Sequence, residues 1–269
     1  MRLEYKYLVD SRYLNDLRKD LLPFVNADSF SSSGDIPEYT VRSIYYDTNS
    51  LRFYHEKIDG IKIRKKVRIR AYNDLNNDST VFLEIKRKNE NYISKNRSQV
   101  KYHKIDELLS TGDIEGFILH EDDADRAMND ASMFLHQIYT HSLKPTVLVV
   151  YDREAFFSQF NSSLRITIDK NLRYTPFPST SELYEDGAMI NAMPSYLILE
   201  IKFYNGFPGW LQRILQKYQL SRSAVSKYTI CLDHQKLLQA GRRKTTLPFI
   251  NDSFSADALR FSRRTQNDV

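Results

Sequence analysis

Cysteine and long apolar runs are almost absent from this sequence. Cys231 is the only cysteine in 269 residues, which excludes a framework of internal disulfides and is typical of a reducing compartment. We expect this thiol to lie in the core. No apolar run approaches the roughly 20 residues that a membrane-spanning helix needs, and strand-like sequence begins at Arg2. Neither a transmembrane segment nor a signal peptide is therefore expected, and the protein is predicted to be cytoplasmic.

The motifs of several enzyme classes are missing as well. The six histidines show no metal-ligand spacing, and the sequence contains neither a Ser/His/Asp order nor a glycine-rich loop that could hold phosphate. Any catalysis is therefore expected to depend on positioning and electrostatics rather than on a protein nucleophile. A net charge of +5 indicates an anionic partner without identifying it.

What the sequence does contain is a run of alternating basic residues. Between Lys62 and Arg70 every even-numbered position is basic, and the interleaved positions are apolar except for Lys65. Successive side chains of a strand point to opposite faces, so this stretch predicts a strand with one apolar face and one cationic face. Because like charges at this spacing repel one another, the pattern indicates a surface that binds an anion.

The same period of two recurs along most of the chain. Strands are predicted at residues 2–9, 39–47, 61–72, 80–88, 97–102, 146–153, 164–169 and 196–204. A helix with Ser11 as its N-cap is predicted after the first strand, a second helix ends near residue 141, and a third follows Phe207. Residues 174–194 are predicted to be irregular.

The polar faces of these strands share one arrangement. Glu-x-Lys occurs with the same parity in three strands, at Glu4, Glu84 and Glu200 and the lysines two positions later. One interpretation is an open antiparallel sheet whose polar faces are solvated. The other is a set of about eight strands that close on themselves, so that the basic faces line a channel. The abundance of arginine and lysine on these faces favours the channel, whose cations suit a chain of phosphates, while the few carboxylates suit a hard divalent metal ion.

Eight segments, in this order, resemble those of VTC-domain proteins, which belong to the triphosphate tunnel metalloenzyme (CYTH-like) superfamily. The segments are RLEYKYLV, VRSIYYDT, KIDGIKIRKKVRIRAY, FLEIKRK, YDREAF, LRITID, LILEIKF and SAVSKY. The resemblance implies an α+β fold in which helices cover an eight-stranded antiparallel tunnel, with residues 1–235 as the VTC domain and residues 236–269 as a polar, basic tail. It also implies an ATP-dependent polyphosphate polymerase that uses Mn²⁺ or Mg²⁺, with ATP and inorganic polyphosphate as partners and no nucleic acid.

The resemblance also assigns roles to individual residues. It implies that Lys6 contacts the transferring phosphate and that Lys227 lies at one mouth of the tunnel. Glu200 resembles the metal-binding glutamate. Lys6, Arg70, Glu200 and Lys227 are the implied catalytic residues. The implied phosphate-binding residues further include Lys57, Arg68, Lys86, Arg153, Arg165, Lys202 and one of the pair Lys95 and Arg97.

Two positions depart from the pattern of the family. Arg2 stands where the first glutamate of Glu-x-Glu-x-Lys is usual, so Glu4 is either a metal ligand or the ion-pair partner of a neighbouring cation. Ala224 stands where a second basic residue is usual, three positions before Lys227, and Arg222 could reach the same space.

Two other functions use nearly the same residues. The tunnel could hydrolyse triphosphate or polyphosphate with water as the acceptor, or it could bind polyphosphate or nucleic acid without catalysis. Single-strand nucleic-acid binders combine basic grooves with stacking aromatic rings. The sequence predicts no aromatic side chains on the basic faces, which argues against base stacking.

Overall fold

One antiparallel sheet organises the chain. The computed structural model describes residues 2–28, 38–90, 92–119, 123–161, 163–204 and 206–242. Within them the strands are β1 (Leu3–Asp10), β2 (Val25–Ala27), β3 (Glu38–Asp47), β4 (Ile63–Tyr72), β5 (Thr80–Asn89), β6 (Tyr92–Lys101), β7 (Ile118–Leu119), β8 (Lys144–Ser158), β9 (Arg165–Pro176), β10 (Ile190–Asn191) and β11 (Tyr196–Phe203). Their order in the sheet is β1-β11-β9-β8-β3-β4-β5-β6-β7, with β10 paired to β9 and β2 paired to β8.

Seven helices accompany the sheet in the described residues. They are α1 (Leu14–Leu21), α2 (Arg52–Ile58), α3 (Ile105–Thr111), α4 (Ile114–Phe117), α5 (Ala124–Thr140), α6 (Gly209–Lys217) and α7 (Lys227–Arg242). No helix in this part of the chain combines the length and the apolar character that crossing a bilayer requires.

The prediction of an antiparallel α+β fold is confirmed, but the prediction of a closed sheet of eight strands is wrong. The described sheet has eleven strands, and its edge strands β1 and β7 are not hydrogen-bonded to each other. Three strands that the sequence did not predict, β2, β7 and β10, contain only two or three residues each. Segments this short cannot display a period of two, which is why the sequence pattern predicted only the long strands.

The apolar and basic residues of β4 alternate between the two faces of the strand, as predicted. Val67, Ile69 and Ala71 are buried, and they belong to one hydrophobic cluster with Phe134 and Leu135 of α5. A second cluster joins the apolar face of β11 to α1 and α6. Helices therefore cover the apolar face of the sheet at both of its ends, and the opposite face is left to the charged side chains.

Helix α7 packs differently from α1, α5 and α6. Its residues Tyr228, Cys231 and Leu232 form a third cluster with Tyr45 of β3 and Tyr151 of β8. Both tyrosines lie on the same face as the basic residues of their neighbouring strands. The start of α7 is therefore placed beside the cations. Cys231 is fully buried, as expected from the sequence.

Three local predictions need correction or remain open. The first turn after β1 is capped by Asp10 rather than Ser11, because the Asp10 carboxylate accepts the backbone N–H of Arg12 at 2.9 Å. Residues 174–194 are more regular than predicted: they contain the end of β9, a 3-10 turn at Thr180–Tyr184 and β10. Helix α7 runs through position 236 to Arg242. The division of the chain at 235 stays a prediction, since residues 243–269 lie outside the described residues.

Candidate phosphate-binding site

Basic side chains from both halves of the sheet point toward one face, which we call the cationic face. Its cations come from seven strands and from the first residue of α7. They are Lys6, Lys66, Arg68, Arg70, Lys86, Lys95, Arg97, Arg153, Arg165, Lys202 and Lys227. The sheet strands contribute the carboxylates Glu4, Glu84, Asp169 and Glu200 among them, and Asp28, just after β2, pairs with Arg165.

Side-chain contacts show that the cationic face is strongly curved. Lys86 Nζ of β5 lies 3.5 Å from Glu4 Oε2 of β1, although five strands separate β1 from β5 in the sheet order. Lys6 Nζ of β1 lies 3.4 Å from the Val225 carbonyl oxygen, and Lys66 Nζ of β4 donates to Ser226 Oγ at 2.7 Å. Strands from distant parts of the sheet therefore meet across this face and at the start of α7.

The first ionic group joins β1 to β11. Lys6 Nζ is 3.0 Å from Glu4 Oε1 and 3.3 Å from Glu200 Oε2, while Lys202 Nζ is 2.6 Å from Glu200 Oε1. Burial alone would raise the pKa of Glu200, but Lys6 and Lys202 outweigh burial and hold this pKa well below its usual range. Burial also opposes the ionised form of Glu4, and Lys6 again prevails and lowers the pKa of Glu4 to about 2. Both carboxylates are therefore ionised at neutral pH.

The second group is centred on Glu84, whose side chain is almost completely buried. Arg68 Nη2 and Lys95 Nζ each lie 2.7 Å from a Glu84 oxygen, and the Nε atoms of Arg97 and Arg70 follow at 3.4 and 3.9 Å. One carboxylate thus serves four cations. Since Lys95 and Arg97 contact the same carboxylate, the structure places both on the cationic face and does not choose between them.

The third group lies on β8 and β9. Arg153 Nη2 donates to Asp169 Oδ2 at 2.8 Å, and Lys227 pairs with the same carboxylate. Burial would raise the pKa of Asp169, but Arg153 and Lys227 lower it below its usual range. Nearby, Arg165 Nη2 donates to Asp28 Oδ2 at 2.8 Å, while the Arg165 Nε group is buried and has no hydrogen-bond partner among the described residues.

Lys57 is placed at the border of the cationic face, on α2. Burial lowers its pKa below the usual value, and Arg64, Lys6 and Lys88 lower it further. The structure therefore brings every predicted phosphate-binding residue to this face or to its border. Arg222 lies over the ring of Tyr5, with its guanidinium carbon 4.7 Å from the ring centroid.

Lys66 is a basic residue of this face that the sequence analysis did not assign to the site. Its Nζ donates to Ser226 Oγ, and no carboxylate of the described residues lies within ion-pair distance of it. Burial lowers the pKa of Lys66 well below its usual value, and Lys6 and Lys86 add to this effect. The sequence could have identified Lys66, because this lysine shares the even-numbered parity of Arg68 and Arg70.

One sequence prediction about this face is wrong. Tyr39, Tyr72 and Phe82 lie on it, in register with Arg153 of β8, Val41 of β3 and Arg70 of β4 respectively. The expectation that the basic faces lack aromatic side chains arose because it considered only the charged runs: Tyr72 follows the basic run of β4, Phe82 precedes Glu84 in β5, and Tyr39 comes from a neighbouring strand.

The protein supplies only some of the ligands that a divalent metal ion needs. The described residues contain no group of three or more histidine, cysteine, aspartate or glutamate side chains placed to hold a metal. Glu4 and Glu200, however, are two carboxylates that share Lys6, and the buried Thr167 Oγ1, which lacks a hydrogen-bond partner in the described part of the chain, lies across from Glu200 in register. Mg²⁺ is typically held by one or two carboxylates, with phosphate oxygens and water completing its shell. The residues fit such a site.

Taken together, the geometry defines a concave surface on which cations far outnumber carboxylates. Each cation can donate to a phosphate oxygen, and the arginine forks can do so with two bonds. The arrangement is suited to a linear polyanion rather than to a single small anion, because the cations extend along several strands.

The chain belongs to the VTC domain family, whose profile matches residues 1–234.

Among its curated relatives are two proteins named vacuolar transporter chaperone complex subunit 4. The protein from Trypanosoma brucei brucei is 25% identical over an alignment of 222 positions, gaps included, that covers 70% of this chain and 27% of that protein. The protein from Schizosaccharomyces pombe is 22% identical over an alignment of 271 positions, gaps included, that covers 85% of this chain and 36% of that protein. The chain thus spans only 27% and 36% of the length of these two relatives.

Among solved structures, a Mimivirus capping enzyme triphosphatase covers 80% of this chain and 88% of its own at 10% identity. The TM-score of this match is 0.29.

Proposed function

We propose that this protein is an ATP-dependent polyphosphate polymerase whose curved cationic face binds the phosphate chain. The observation that carries the proposal is the convergence of eleven cations from both halves of the sheet on one curved surface, where Glu4, Glu84, Asp169 and Glu200 pair with nine of them. Membership of the VTC domain family supports it, as does the shared name of the relatives, which places them in a vacuolar transporter chaperone complex.

In the proposed reaction, a terminal oxygen of the polyphosphate chain attacks the γ-phosphorus of ATP. The new P–O bond forms as the bond between the γ-phosphorus and the β–γ bridging oxygen breaks, and ADP leaves with the electron pair. The attacking phosphate oxygen is already deprotonated, so no general base is needed. Catalysis then consists of holding the two phosphates in line and stabilising the charge that develops between them.

In this proposal, individual residues of the cationic face bind different parts of the substrate. Lys6 contacts the transferring phosphoryl group, and Lys66 binds the same group or its neighbour, since these two lysines contact the adjacent residues Val225 and Ser226. Arg68 and Arg70 bind the flanking phosphates, and Lys227 binds the chain at the start of α7. Glu200 and Glu4 would hold a divalent ion, which would neutralise part of the charge on the phosphates.

The carboxylates have a second role in this proposal. Before substrate binds, Glu84 and Asp169 hold the arginines in their rotamers by short ion pairs. The guanidinium groups are therefore already positioned when phosphate arrives, which lowers the cost of ordering them on binding.

The experiment that tests the proposal is a product analysis. Purified protein with ATP and Mn²⁺ is expected to make long-chain polyphosphate and ADP, and Arg70→Ala is expected to lose most of this activity. Arg12→Ala, which changes an exposed arginine that pairs with Asp10, is the matched control and should retain it. Release of orthophosphate without polymer would favour the hydrolase instead. Binding of polyphosphate without either product would favour a non-catalytic binder.

A further inference from the structure

Exposed apolar side chains gather where β4, β5 and β6 share an end. They are Ile61, Ile63, Tyr92 and Ile93, and we call them the hairpin tip. Ile63 opens β4 and Tyr92 opens β6, and Asn89 at the end of β5 lies between them as the cross-strand partner of both. Ile63 and Tyr92 are each 69% exposed, and the other two residues are exposed as well. Exposed apolar side chains are ordinary when they are scattered singly, but a group of four at one tip indicates a surface that meets a partner.

The hairpin tip is apolar on both sides of the sheet. Cross-strand partners project to the same side, so Ile63 and Tyr92 share the face of Val67, which the helices cover farther along the strand. Ile93 is the partner of Lys88 and therefore lies on the cationic face. A flat protein surface would cover only one of these two sides. A lipid layer, by contrast, surrounds an inserted tip on both sides.

Cations stand behind the tip, and they too lie on both faces. Arg64 and Lys88 are cross-strand partners on the cationic face, and Lys65 and Arg87 form the next pair on the opposite face. Three of these cations donate to neutral acceptors: Arg64 Nη1 to the Ile61 carbonyl oxygen at 2.8 Å, Lys65 Nζ to Gln137 Oε1 at 2.6 Å and Arg87 Nη1 to Asn96 Oδ1 at 2.7 Å. Within the described ranges no carboxylate forms an ion pair with any of the four, so their charge is left for an external anion.

Acidic residues are few around the hairpin tip. Glu90 pairs with Lys62 at 3.2 Å, and Asp59 follows α2. Against these two acids, segments 57–66 and 86–93 contain eight basic residues: Lys57, Lys62, Arg64, Lys65, Lys66, Lys86, Arg87 and Lys88. The potential around the tip is therefore positive, and it attracts a negatively charged surface.

We propose that the hairpin tip docks onto the headgroup layer of an anionic lipid bilayer. Ile63, Tyr92 and Ile93 enter the interface, and the cations behind them contact lipid phosphates. A tyrosine ring suits this depth because its body is apolar and its hydroxyl is polar. The long stems of lysine and arginine let their charged ends reach the headgroups while the tip is inserted. The inference does not rest on the proposed function, because docking requires no phosphoryl transfer.

Co-sedimentation with vesicles tests the inference. The protein is mixed with vesicles of phosphatidylcholine alone or of phosphatidylcholine with about a third phosphatidylserine, and the bound fraction gives a partition coefficient. We expect binding to the anionic vesicles only, and weaker binding at high salt. The double variant Ile63→Ser, Tyr92→Ser should bind about tenfold more weakly, since it loses two inserted apolar side chains and keeps every charge. No binding of the wild type to anionic vesicles, or unchanged binding of the double variant, would overturn the inference.

Two controls separate the tip from other exposed side chains and from a misfolded chain. Phe160→Ser changes a phenylalanine that is 73% exposed and follows the end of β8 away from the hairpin tip, and it should bind vesicles as the wild type does. The double variant should bind tripolyphosphate as the wild type does, which shows that its fold is intact. Self-association that the double variant loses, without vesicle binding by the wild type, would identify a second copy of the chain as the occupant and overturn the inference.

Charge variants separate the tip from the cationic face. Arg87→Gln removes a cation behind the tip on the face opposite the cationic face, and it should weaken vesicle binding about threefold. Arg70→Ala removes a buried arginine of the cationic face and should leave vesicle binding unchanged. The reverse result, with loss of vesicle binding in Arg70→Ala alone, would mean that the cationic face itself captures the lipid, and it would contradict docking through the tip.

Discussion

At the scale of single residues, charge on the cationic face is compensated unevenly. Glu84 receives four cations, whereas no carboxylate of the described residues pairs with Lys66. A buried cation among other cations destabilises the fold, and a protein retains it where an anionic ligand supplies the missing charge. Parity in the sequence locates such a residue on the face, but it cannot show which cations lack a partner, because the partners come from other strands.

The first prediction concerns Lys66→Met. Burial and neighbouring cations lower the pKa of Lys66, so folding near neutral pH requires this lysine either to stay charged at a cost or to lose its proton. The charged form of Lys66 therefore destabilises the fold at low pH. This penalty should decrease as the pH rises from the folded-state pKa of Lys66 toward its unfolded-state pKa. Lys66→Met should raise Tm at about pH 7 by roughly 2–4 °C, and this gain should shrink at alkaline pH.

The same variant should bind tripolyphosphate about tenfold more weakly, since a charged hydrogen-bond donor is lost. Thermal unfolding and calorimetry check the two effects together. Lys62→Met, in which an exposed lysine of the same basic run is replaced, is the control and should change neither quantity. A Lys66→Met protein that is less stable and binds as tightly as the wild type would contradict the argument.

The second prediction concerns Glu84→Gln. Burial alone would raise the pKa of Glu84, but Arg68 and Arg70 lower it far below the usual value. Its contribution to stability is therefore fully present above the unfolded-state pKa of 4.5 and is lost as the pH falls below that value toward the folded-state pKa. Glu84→Gln should cost about 3–5 kcal/mol at about pH 7, and the difference from the wild type should narrow on acidification. Unfolding curves between about pH 7 and pH 3 measure this, and two parallel pH profiles would refute it.

At the scale of elements, Asp47 links the start of α2 to α7. Its carboxylate accepts the backbone N–H groups of Phe53 and Tyr54 at 2.9 and 3.0 Å, and it also accepts the Tyr228 hydroxyl. The Tyr228 ring stacks on Tyr45, with centroids 4.9 Å apart. One buried carboxylate thus fixes the position of α7, and with it Ser226 and Lys227 at its start.

The third prediction follows from this link. Tyr228→Phe removes the hydroxyl but keeps the stacked ring, so it should destabilise the protein by about 1–3 kcal/mol. It should also weaken tripolyphosphate binding, because Lys227 and Ser226 are then held less firmly. Tyr218→Phe removes a hydroxyl that donates to Asp20 on α1, away from the cationic face, and should leave binding unchanged. Unfolding and calorimetry of both variants give the comparison, and equal effects on binding would argue against a positioning role for Asp47 and Tyr228.

The elements also show how far the sequence could predict this fold. Long strands and α6 were predictable, because each displays its period over many residues. In α7 the buried residues have helical spacing, at Tyr228, Cys231, Leu232 and Gln235. The polar residues between them make this pattern weaker. The two-residue and three-residue strands follow from tertiary pairing, which no local pattern records.

At the scale of the whole molecule, the decisive feature is the curvature of the sheet. The sequence predicted which side chains share a face of each strand, since parity is a local property. It did not predict how the strands close, because that depends on pairings between distant segments, and backbone pairing does not join β1 to β7 among the described residues. The contact of Lys86 with Glu4 and the position of α7 bring the two halves together through side chains instead.

A crystal structure of the protein with bound tripolyphosphate tests the central claim most directly, namely that cations from distant strands bind one phosphate chain. The account predicts a single tripolyphosphate within hydrogen-bond distance of Lys6 from β1, Arg70 from β4 and Arg153 from β8. Tripolyphosphate bound at separate outward-facing sites, each contacted by the residues of one strand only, would contradict it.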